Sequence, residues 1–328
     1  MRKSNKNLLI KGVTISLVVI FILSALMIIL EIWESKQGKF PEVSEEDKKF
    51  IYNGVEYVPK DQIETFLVLG LDKFDGEAMT GSYNNDKCAD FIMLFVFDNA
   101  EKKFSTIHIN RDTMAEVDIL GVAGDKIDTV TKQITLAHTY GNGKDLSCRN
   151  TAESVSRLLN GIKINHYISI TMDAVSILND EVGGVEVTVL DDFTGIDETL
   201  VKGEKVILSG EQALTYVRKR YGLEDSSNSA RMERQQQYIN AFYTKLTQVM
   251  EKDDEFVANA SIKISDYIVS DRSITRLQEL VNKINEYEYL GINDLEGETK
   301  MGEKYIEFYP NEESVNKLVA ELFYIPKN

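Results

Sequence analysis

Residues 89–113, ADFIMLFVFDNAEKKFSTIHINRDT, decide the fold class. They hold two apolar runs, residues 91–97 and 104–109, separated by the turn-forming residues 98–103. Short apolar runs bounded by turn residues predict β-strands, and the second run also alternates in part between apolar and polar residues. The segment therefore predicts two neighbouring strands, with Asp90 at the start of the first and Arg111 just after the second.

A third strand is predicted upstream, at residues 65–69 (TFLVL). It is short and continuously apolar, which suits a strand buried on both faces. It ends next to Asp72, before a loop at 73–87 that is rich in Gly, Asn and Asp. If the strand from Asp90 runs antiparallel to its neighbours, Asp72, Asp90 and Arg111 meet at one sheet edge. Open α/β sheets bind ligands at such edges, although a turn or cap role is the alternative for a lone strand-end aspartate.

Strands and helices alternate along the rest of the chain, which predicts a layered α/β domain. Strands are predicted at residues 167–170, 185–190 and 305–308, and a short β element at 52–58. Helices are predicted at 130–140, at 150–159 with Asn150 as its cap, at 172–179, from Ser209, and at 231–250, 273–287 and 313–323.

A basic stretch begins at Leu208 and reads LSGEQALTYVRKRYGLEDSSNSARMERQQQYIN. Arg218 and Arg220 are two residues apart, so an extended segment would put both guanidinium groups on one face. Arginine binds phosphate oxygens through two parallel hydrogen bonds, so the stretch predicts a phosphate or pyrophosphate site. The alternative is a solvated, charged helix face. Offsets of three and four residues put a second group on one helical face: Arg231, Arg234 and Gln235.

The first residues predict a membrane anchor. Residues 1–11 carry only basic charges, and residues 12–30 are uncharged. An uncharged helix of that length spans about 28 Å, close to the thickness of a bilayer's hydrocarbon core. The positive-inside rule then predicts a cytoplasmic tail at 1–11, an anchor at 12–33, a stalk at 34–60 and an extracytoplasmic domain at 61–328. A cleaved signal peptide is the alternative, but no small-residue cleavage site follows the apolar run.

The composition excludes some classes of function. The formal net charge is -16, which argues against nucleic-acid binding because that requires a broad basic surface. Cys88 and Cys148 are too few for a disulfide framework, so two free thiols and one bridge in an exported domain both stay open. His108, His138 and His166 share no metal-ligand spacing and are interpreted as structural.

Four blocks of this sequence together resemble the LytR-CpsA-Psr family of cell-wall ligases. They are residues 66–72, 89–113, 166–189, and 208–221 with 230–237. The resemblance implies a layered α-β-α domain with a central mixed sheet and a deep apolar pocket for a polyprenyl chain, behind one N-terminal transmembrane helix. It also implies transfer of an anionic glycopolymer from a polyprenyl-pyrophosphate carrier to peptidoglycan, outside the bacterial cytoplasmic membrane and with Mg²⁺.

The resemblance also assigns roles by motif. Asp72 and Asp90 would hold the metal, and Asp90 and Arg111 would be catalytic. The pyrophosphate would be bound by Arg111, Arg218, Arg220, Arg231 and Gln235. Two alternatives use the same residues: a hydrolase acting on the same lipid pyrophosphate, and a non-catalytic binder or regulator that senses lipid-linked sugars.

The sequence departs from the family pattern in three places. The loop between Asp72 and Asp90 is longer than expected. Asn110 stands where the family usually has proline. Asn228 stands where the family has an acid three residues before the helix arginine, and Asp225 in the same loop is the candidate substitute.

Overall fold

A six-stranded mixed sheet forms the centre of the part of the chain that the computed structural model describes, residues 50–71 and 88–327. The strands in chain order are β1 (Phe50–Tyr52), β2 (Val55–Pro59), β3 (Ile63–Leu71), β4 (Ala89–Asp98), β5 (Lys103–His108), β6 (Met114–Leu120), β7 (Lys126–Gln133), β8 (His166–Thr171), β9 (Val185–Thr188), β10 (Lys205–Leu208), β11 (Ile268–Ser270), β12 (Glu288–Asp294), β13 (Gly297–Met301), β14 (Ile306–Pro310) and β15 (Tyr324–Pro326). The central sheet has the order β11-β8-β3-β4-β5-β12.

Helices cover both faces of this sheet. They are α1 (Asp145–Leu158), α2 (Asp173–Glu181), α3 (Gly210–Arg218), α4 (Asn228–Met250), α5 (Phe256–Ile264), α6 (Ile274–Glu286) and α7 (Glu312–Phe323). On one face, Phe66 and Phe104 pack against side chains of α4 and α6. On the other face, the fully buried Leu67 and Leu94 lie on the side covered by α1 and a short 3₁₀ helix. The predicted layered fold with a mixed sheet is confirmed.

The predicted helix at 130–140 is wrong over its first part. Residues up to Gln133 belong to β7, which pairs antiparallel with β6, and a 3₁₀ helix (Ile134–Thr139) follows. The run around Thr129 and Val130 is rich in β-branched residues, which favour a strand once a partner strand is available.

The predicted cap at Asn150 is also wrong. Helix α1 begins at Asp145, and Asn150 is buried within it. Its side-chain amide donates to the backbone oxygens of Asp118 and Ala137, at 3.0 and 2.8 Å. A tertiary contact therefore fixes this asparagine, and a local capping pattern could not reveal it.

The first part of the basic stretch, residues 209–220, also differs from its prediction. Ser209 does begin a helix, with a capping box in which Gln212 takes part. That helix, α3, continues through Arg218, so Arg218 is its last residue and the chain becomes extended only at Lys219. The prediction that Arg218 and Arg220 share one extended segment is therefore wrong.

Part of the segment predicted as a stalk has regular structure. Strands β1 and β2 form a hairpin, and β2 also pairs with β15 near the C-terminus. The predicted anchor, residues 12–33, and Asp72 lie outside the described residues. Within the described ranges, no helix is long and apolar enough to cross a bilayer.

Cys88 and Cys148 are both free thiols in the structure, so the possible bridge between them is not formed. Cys148 is buried on α1, where its Sγ lies 3.3 Å from Ser169 Oγ. Ser169 pairs with Leu69 on β3, whereas Cys88 precedes the start of β4, beyond the end of β3. The two sulfurs therefore lie at different heights along the sheet.

Candidate anion-binding site

The predicted polar edge of the sheet is present. Strand β4 runs antiparallel to both β3 and β5, so β4 begins where β3 and β5 end, as the sequence predicts. Gly70 pairs with Phe91, but the next pair is Leu71 with Ala89, which leaves Asp90 on a β-bulge. Bulges redirect a side chain and are common beside active sites. A Cβ at Gly70 would lie 2.8 Å from Phe91 Cβ, so this close approach requires glycine.

Arg111 reaches Asp90 from the turn after β5. Its Nη1 contacts Asp90 Oδ1 directly, and both side chains are largely buried. The turn is held by Asn110, whose Oδ1 accepts from the Asp112 backbone N–H at 2.9 Å. Asparagine stabilises such turns by this side-chain hydrogen bond. The Asn-Arg-Asp-Thr sequence therefore fixes Arg111 close to the start of β4.

Asp112 lies inside the arginine cluster. Its Oδ1 accepts from Gln133 Nε2 at 3.1 Å, and its Oδ2 is buried without a hydrogen-bond partner in the described part of the chain. Burial raises the pKa of Asp112, and the positive charges of three arginines act against that rise. These are Arg111, Arg220 and Arg231. Asp112 therefore lies in the electrostatic field of arginines from three separate segments, and the Nε of Arg111 is 3.6 Å from Asp112 Oδ1.

Arg231 is held at the start of α4. Its Nη2 donates to Asn228 Oδ1 at 2.5 Å, and both residues are buried. Asn228 Nδ2 in turn donates to Asn110 Oδ1 at 2.8 Å. Asp225, the candidate substitute for the acid missing at 228, is exposed and accepts from the Ser227 backbone N–H at 2.7 Å. It therefore stabilises the turn before α4, whose N-cap is Ser227, with the Ser227 hydroxyl accepting from the Ala230 backbone N–H at 3.1 Å.

Two predicted neighbours of Arg231 face the fold interior. Arg234 donates to the backbone oxygens of Tyr216 and Lys219, and Gln235 Nε2 donates to Val217 O at 3.0 Å. These carbonyls lie at the C-terminal end of α3, where helix geometry leaves acceptors without partners. Arg234 and Gln235 thus hold in place the segment that carries Arg218 and Arg220. A role of Gln235 in binding phosphate stays a prediction.

The three basic residues at the end of α3 differ in their exposure to solvent. Arg218 and Arg220 are half-buried, whereas Lys219 between them is exposed. Arg220 lies over the ring of Tyr221, at 4.7 Å from the centroid, and its Nη2 donates to the tyrosine hydroxyl at 2.5 Å. The stacked ring limits the positions that this guanidinium group can take.

His108 is a buried residue at the end of β5, close in sequence to the turn that carries Arg111. It ends β5 two residues before Asn110, and its ring lies 5.1 Å from that of Phe91. Gln236 Nε2 lies 3.3 Å from His108 Nδ1 and also donates to Asp294. Burial, with a smaller contribution from Arg231, lowers the pKa of His108 to about 3. The register that joins β5 to β12 brings these residues together, and no local motif encodes it.

An apolar cavity lies between the central sheet and helices α4, α5 and α6. It has a volume of about 200 Å³ and an almost wholly apolar wall. Strands β3, β4 and β8 contribute Phe66, Phe95 and Ile170, while Phe242 comes from α4 and Leu280 from α6. Phe242 is eleven positions after Arg231 on α4, about 16 Å along the helix. Arg231 and one wall of the cavity therefore belong to the same helix.

A metal ion at this sheet edge would have few protein ligands. Among residues 50–71 and 88–327, no three His, Cys, Asp or Glu side chains form a group that could hold a metal ion. Mg²⁺, however, usually binds one or two carboxylates together with substrate phosphates and water. Asp90 at the bulge, beside Arg111, fits that pattern.

The described part of the chain thus combines a layered α/β domain, a polar sheet edge with arginines and an apolar cavity. The chain belongs to the LytR_cpsA_psr family, whose model matches residues 31–323. The family predicted from the four sequence blocks is therefore confirmed.

Relatives and solved structures agree with this assignment. The chain is 29% identical over 213 residues to the polyisoprenyl-teichoic acid–peptidoglycan teichoic acid transferase TagV of Bacillus subtilis, covering 62% of this chain and 49% of that protein. It is 32% identical over 205 residues to the TagU transferase of Enterococcus faecalis, covering 60% of each. The chain thus matches half to three fifths of the length of these relatives. The structure described as "TagT bound to LI-WTA" has the same fold, with a TM-score of 0.60 at 23% identity over 86% of this chain and 98% of that chain.

Proposed function

We propose that this protein transfers an anionic glycopolymer from a polyprenyl-pyrophosphate carrier to peptidoglycan. The observation that carries the proposal is the linkage of the Arg111 turn to Arg231 through Asn110 and Asn228, together with an apolar cavity lined in part by the helix that carries Arg231. A pyrophosphate needs several fixed positive donors, and a polyprenyl tail needs an apolar channel. The names of the relatives TagV and TagU support the choice of teichoic acid and peptidoglycan as substrates.

The proposed reaction is a phosphoryl transfer. A sugar hydroxyl of peptidoglycan attacks the sugar-linked phosphorus, the bond from that phosphorus to the bridging oxygen breaks, and polyprenyl phosphate leaves. The hydroxyl loses its proton, and Asp90 is the candidate acceptor or metal ligand. Negative charge grows on the leaving phosphate, and the arginines stabilise it because they are already in position.

Mg²⁺ is part of the proposal. Asp90 would hold it, with Asp72 as the second carboxylate that the sequence predicts, and the bound ion would neutralise charge on the phosphates. The predicted anchor would keep the site beside the bacterial cytoplasmic membrane, in which the tail of the carrier resides.

The test is a transfer assay with the purified full chain, a polyprenyl-pyrophosphate-linked glycopolymer and peptidoglycan. The expected result is glycopolymer covalently bound to peptidoglycan, together with released polyprenyl phosphate. Release at the same rate without peptidoglycan would instead assign a hydrolase. Tight binding of the lipid without any turnover, with Mg²⁺ present, would assign a non-catalytic binder.

A further inference from the structure

We propose that the side chains of Asn110 and Asn228 form a neutral amide bridge that positions Arg231 relative to Arg111. The inference rests on the proposed function, because it explains how the two main segments of the pyrophosphate site are kept at a fixed spacing. Asn228 accepts from Arg231 Nη2 at 2.5 Å and donates to Asn110 Oδ1 at 2.8 Å.

The bridge joins two elements that are far apart in sequence. Asn110 belongs to the turn that carries Arg111, whereas Asn228 is the first residue of α4, which carries Arg231. Asn110 is itself fixed, because its Oδ1 also accepts from the Asp112 backbone N–H at 2.9 Å, and its backbone oxygen accepts from Thr113 Oγ1 at 2.6 Å. A displacement of either element would therefore be transmitted to the other through one hydrogen bond.

The chemistry of the amide group makes asparagine necessary at position 228. Its oxygen accepts from the arginine while its nitrogen donates to Asn110, so both functions of one amide are used. An ionised carboxylate can only accept hydrogen bonds. In an aspartate at 228, a carboxylate oxygen would take the place of Nδ2, and two acceptor oxygens would then face each other across the position of the present hydrogen bond. Asn110 cannot rotate its amide to compensate, because its oxygen is already bound to the Asp112 N–H.

A neutral partner also preserves the charge of Arg231. Asn228 and Arg231 are 5% and 6% exposed, so charges at this position are poorly screened by water. A carboxylate at 228 would bind the guanidinium group and compete with a phosphate for it. The amide at 228 holds the arginine by a hydrogen bond and adds no negative charge of its own.

The test measures the affinity of the purified full chain for inorganic pyrophosphate at fixed salt. Asn228→Ala removes the bridge without adding charge, and we expect affinity about fivefold weaker than in the unmodified protein. Asn228→Asp keeps the shape but cannot donate, so we expect a loss at least as large. Asn240→Asp is the matched control, since Asn240 is exposed on the same helix and twelve positions further along, and it should stay within twofold.

Double variants separate positioning from a general structural role. In an Arg231→Gln background, Asn228→Ala should change the affinity by less than twofold, because the bridge acts through Arg231. An equal loss with and without Arg231 would overturn the proposal. So would single variants at 228 that bind pyrophosphate as tightly as the unmodified protein.

Thermal unfolding gives a readout that does not depend on the ligand. The losses in Tm for Asn110→Ala and Asn228→Ala should not add in the double variant, because either change removes the shared hydrogen bond. Additive losses would overturn the bridge itself. An unmodified protein that binds no pyrophosphate would overturn the proposed anion site, and non-additive Tm losses would then retain the bridge without its role in binding.

Discussion

Arg234 Nη1 donates to Asp191 Oδ2 at 2.8 Å, and the two side chains are 1% and 7% exposed. The same guanidinium group donates to two carbonyls at the end of α3 and lies 5.7 Å from the ring centroid of Phe193. Arg231 and Arg234 are one helical turn apart, yet they serve different purposes. Arg231 faces the polar sheet edge, whereas Arg234 joins α3, α4 and the segment after β9.

The Arg234–Asp191 pair predicts a stability effect. Removing one partner leaves the other charge buried, so Arg234→Ala and Asp191→Ala should each lower the free energy of unfolding by about 3–5 kcal/mol. Urea denaturation measures this. Glu233→Gln, at an exposed neighbouring position on the same helix, should change it by less than about 0.5 kcal/mol. If the Arg234 and Asp191 variants lost as little free energy of unfolding as Glu233→Gln, the buried ion pair would not stabilise the fold.

Asp90 should matter for turnover more than for folding. It lies on a bulge at the sheet edge, against Arg111. Asp90→Asn keeps the shape, and we expect turnover in the transfer assay to fall about 10²-fold or more, while Tm changes by only a few degrees. Asp98→Asn, at the opposite end of β4, is the control and should leave turnover unchanged. Unfolding of Asp90→Asn, or full turnover, would assign the carboxylate a structural role.

Much of the site could be predicted from sequence because the information is local. The three apolar runs and their flanking polar residues predict β3, β4 and β5, and the antiparallel arrangement that brings Asp90 to Arg111. The cap at Ser209 is likewise encoded within a few residues. Such features depend on periodicity and turn chemistry, which a single sequence contains.

Other parts depend on contacts between distant residues. Three consecutive glutamines, 235 to 237, have three different sets of partners: the end of α3, the His108–Asp294 pair, and Tyr216 with Thr188. The sequence shows only a polar run. The β7 strand depends on pairing with β6, and the place of Asn150 depends on Asp118 and Ala137. Sheet register and helix packing determine these positions, and neither is visible in spacing along the chain.

The cysteines give a prediction about reactivity. Burial raises the pKa of Cys148 to about 12, so its thiolate is scarce near neutral pH, whereas Cys88 is half-exposed. Iodoacetamide at pH 8 should modify Cys88 in the native protein and both cysteines after unfolding. Intact mass spectrometry without reductant measures both. Loss of two mass units relative to the reduced protein would show a disulfide and contradict the structure.

His108 predicts a dependence of stability on pH. Its folded pKa of about 3 lies below the ordinary value near 6.5, so the unfolded chain takes up the proton first as pH falls. The stability contribution is therefore present above pH 6.5 and is lost progressively towards pH 3. Between pH 7.5 and pH 5 the loss should reach about 2 kcal/mol.

The variant that tests this dependence is His108→Asn, which keeps an acceptor for Gln236 but does not titrate. Its free energy of unfolding should fall less than that of the unmodified protein between the two pH values, by the same 2 kcal/mol or so. Urea denaturation at pH 7.5 and at pH 5 measures the free energy of unfolding of both proteins. Parallel losses in the two proteins would mean that other groups control acid stability.

The arginines of the basic stretch should contribute to the binding of pyrophosphate, whereas the lysine between two of them should not. Arg220→Ala and Arg231→Ala each remove a charge-assisted contact worth about 1.5–3 kcal/mol, so affinity for a polyprenyl-pyrophosphate sugar should fall about tenfold or more. Arg218→Ala should weaken binding as well, and Arg218→Lys should restore it only in part, because lysine keeps the charge but loses the planar fork. Lys219→Ala is the matched control, since Lys219 is exposed between two half-buried arginines and should change little. Measured at one salt concentration, equal losses at 218, 219 and 220 would indicate a diffuse basic surface, and no loss at any of them would assign the stretch to a solvated face.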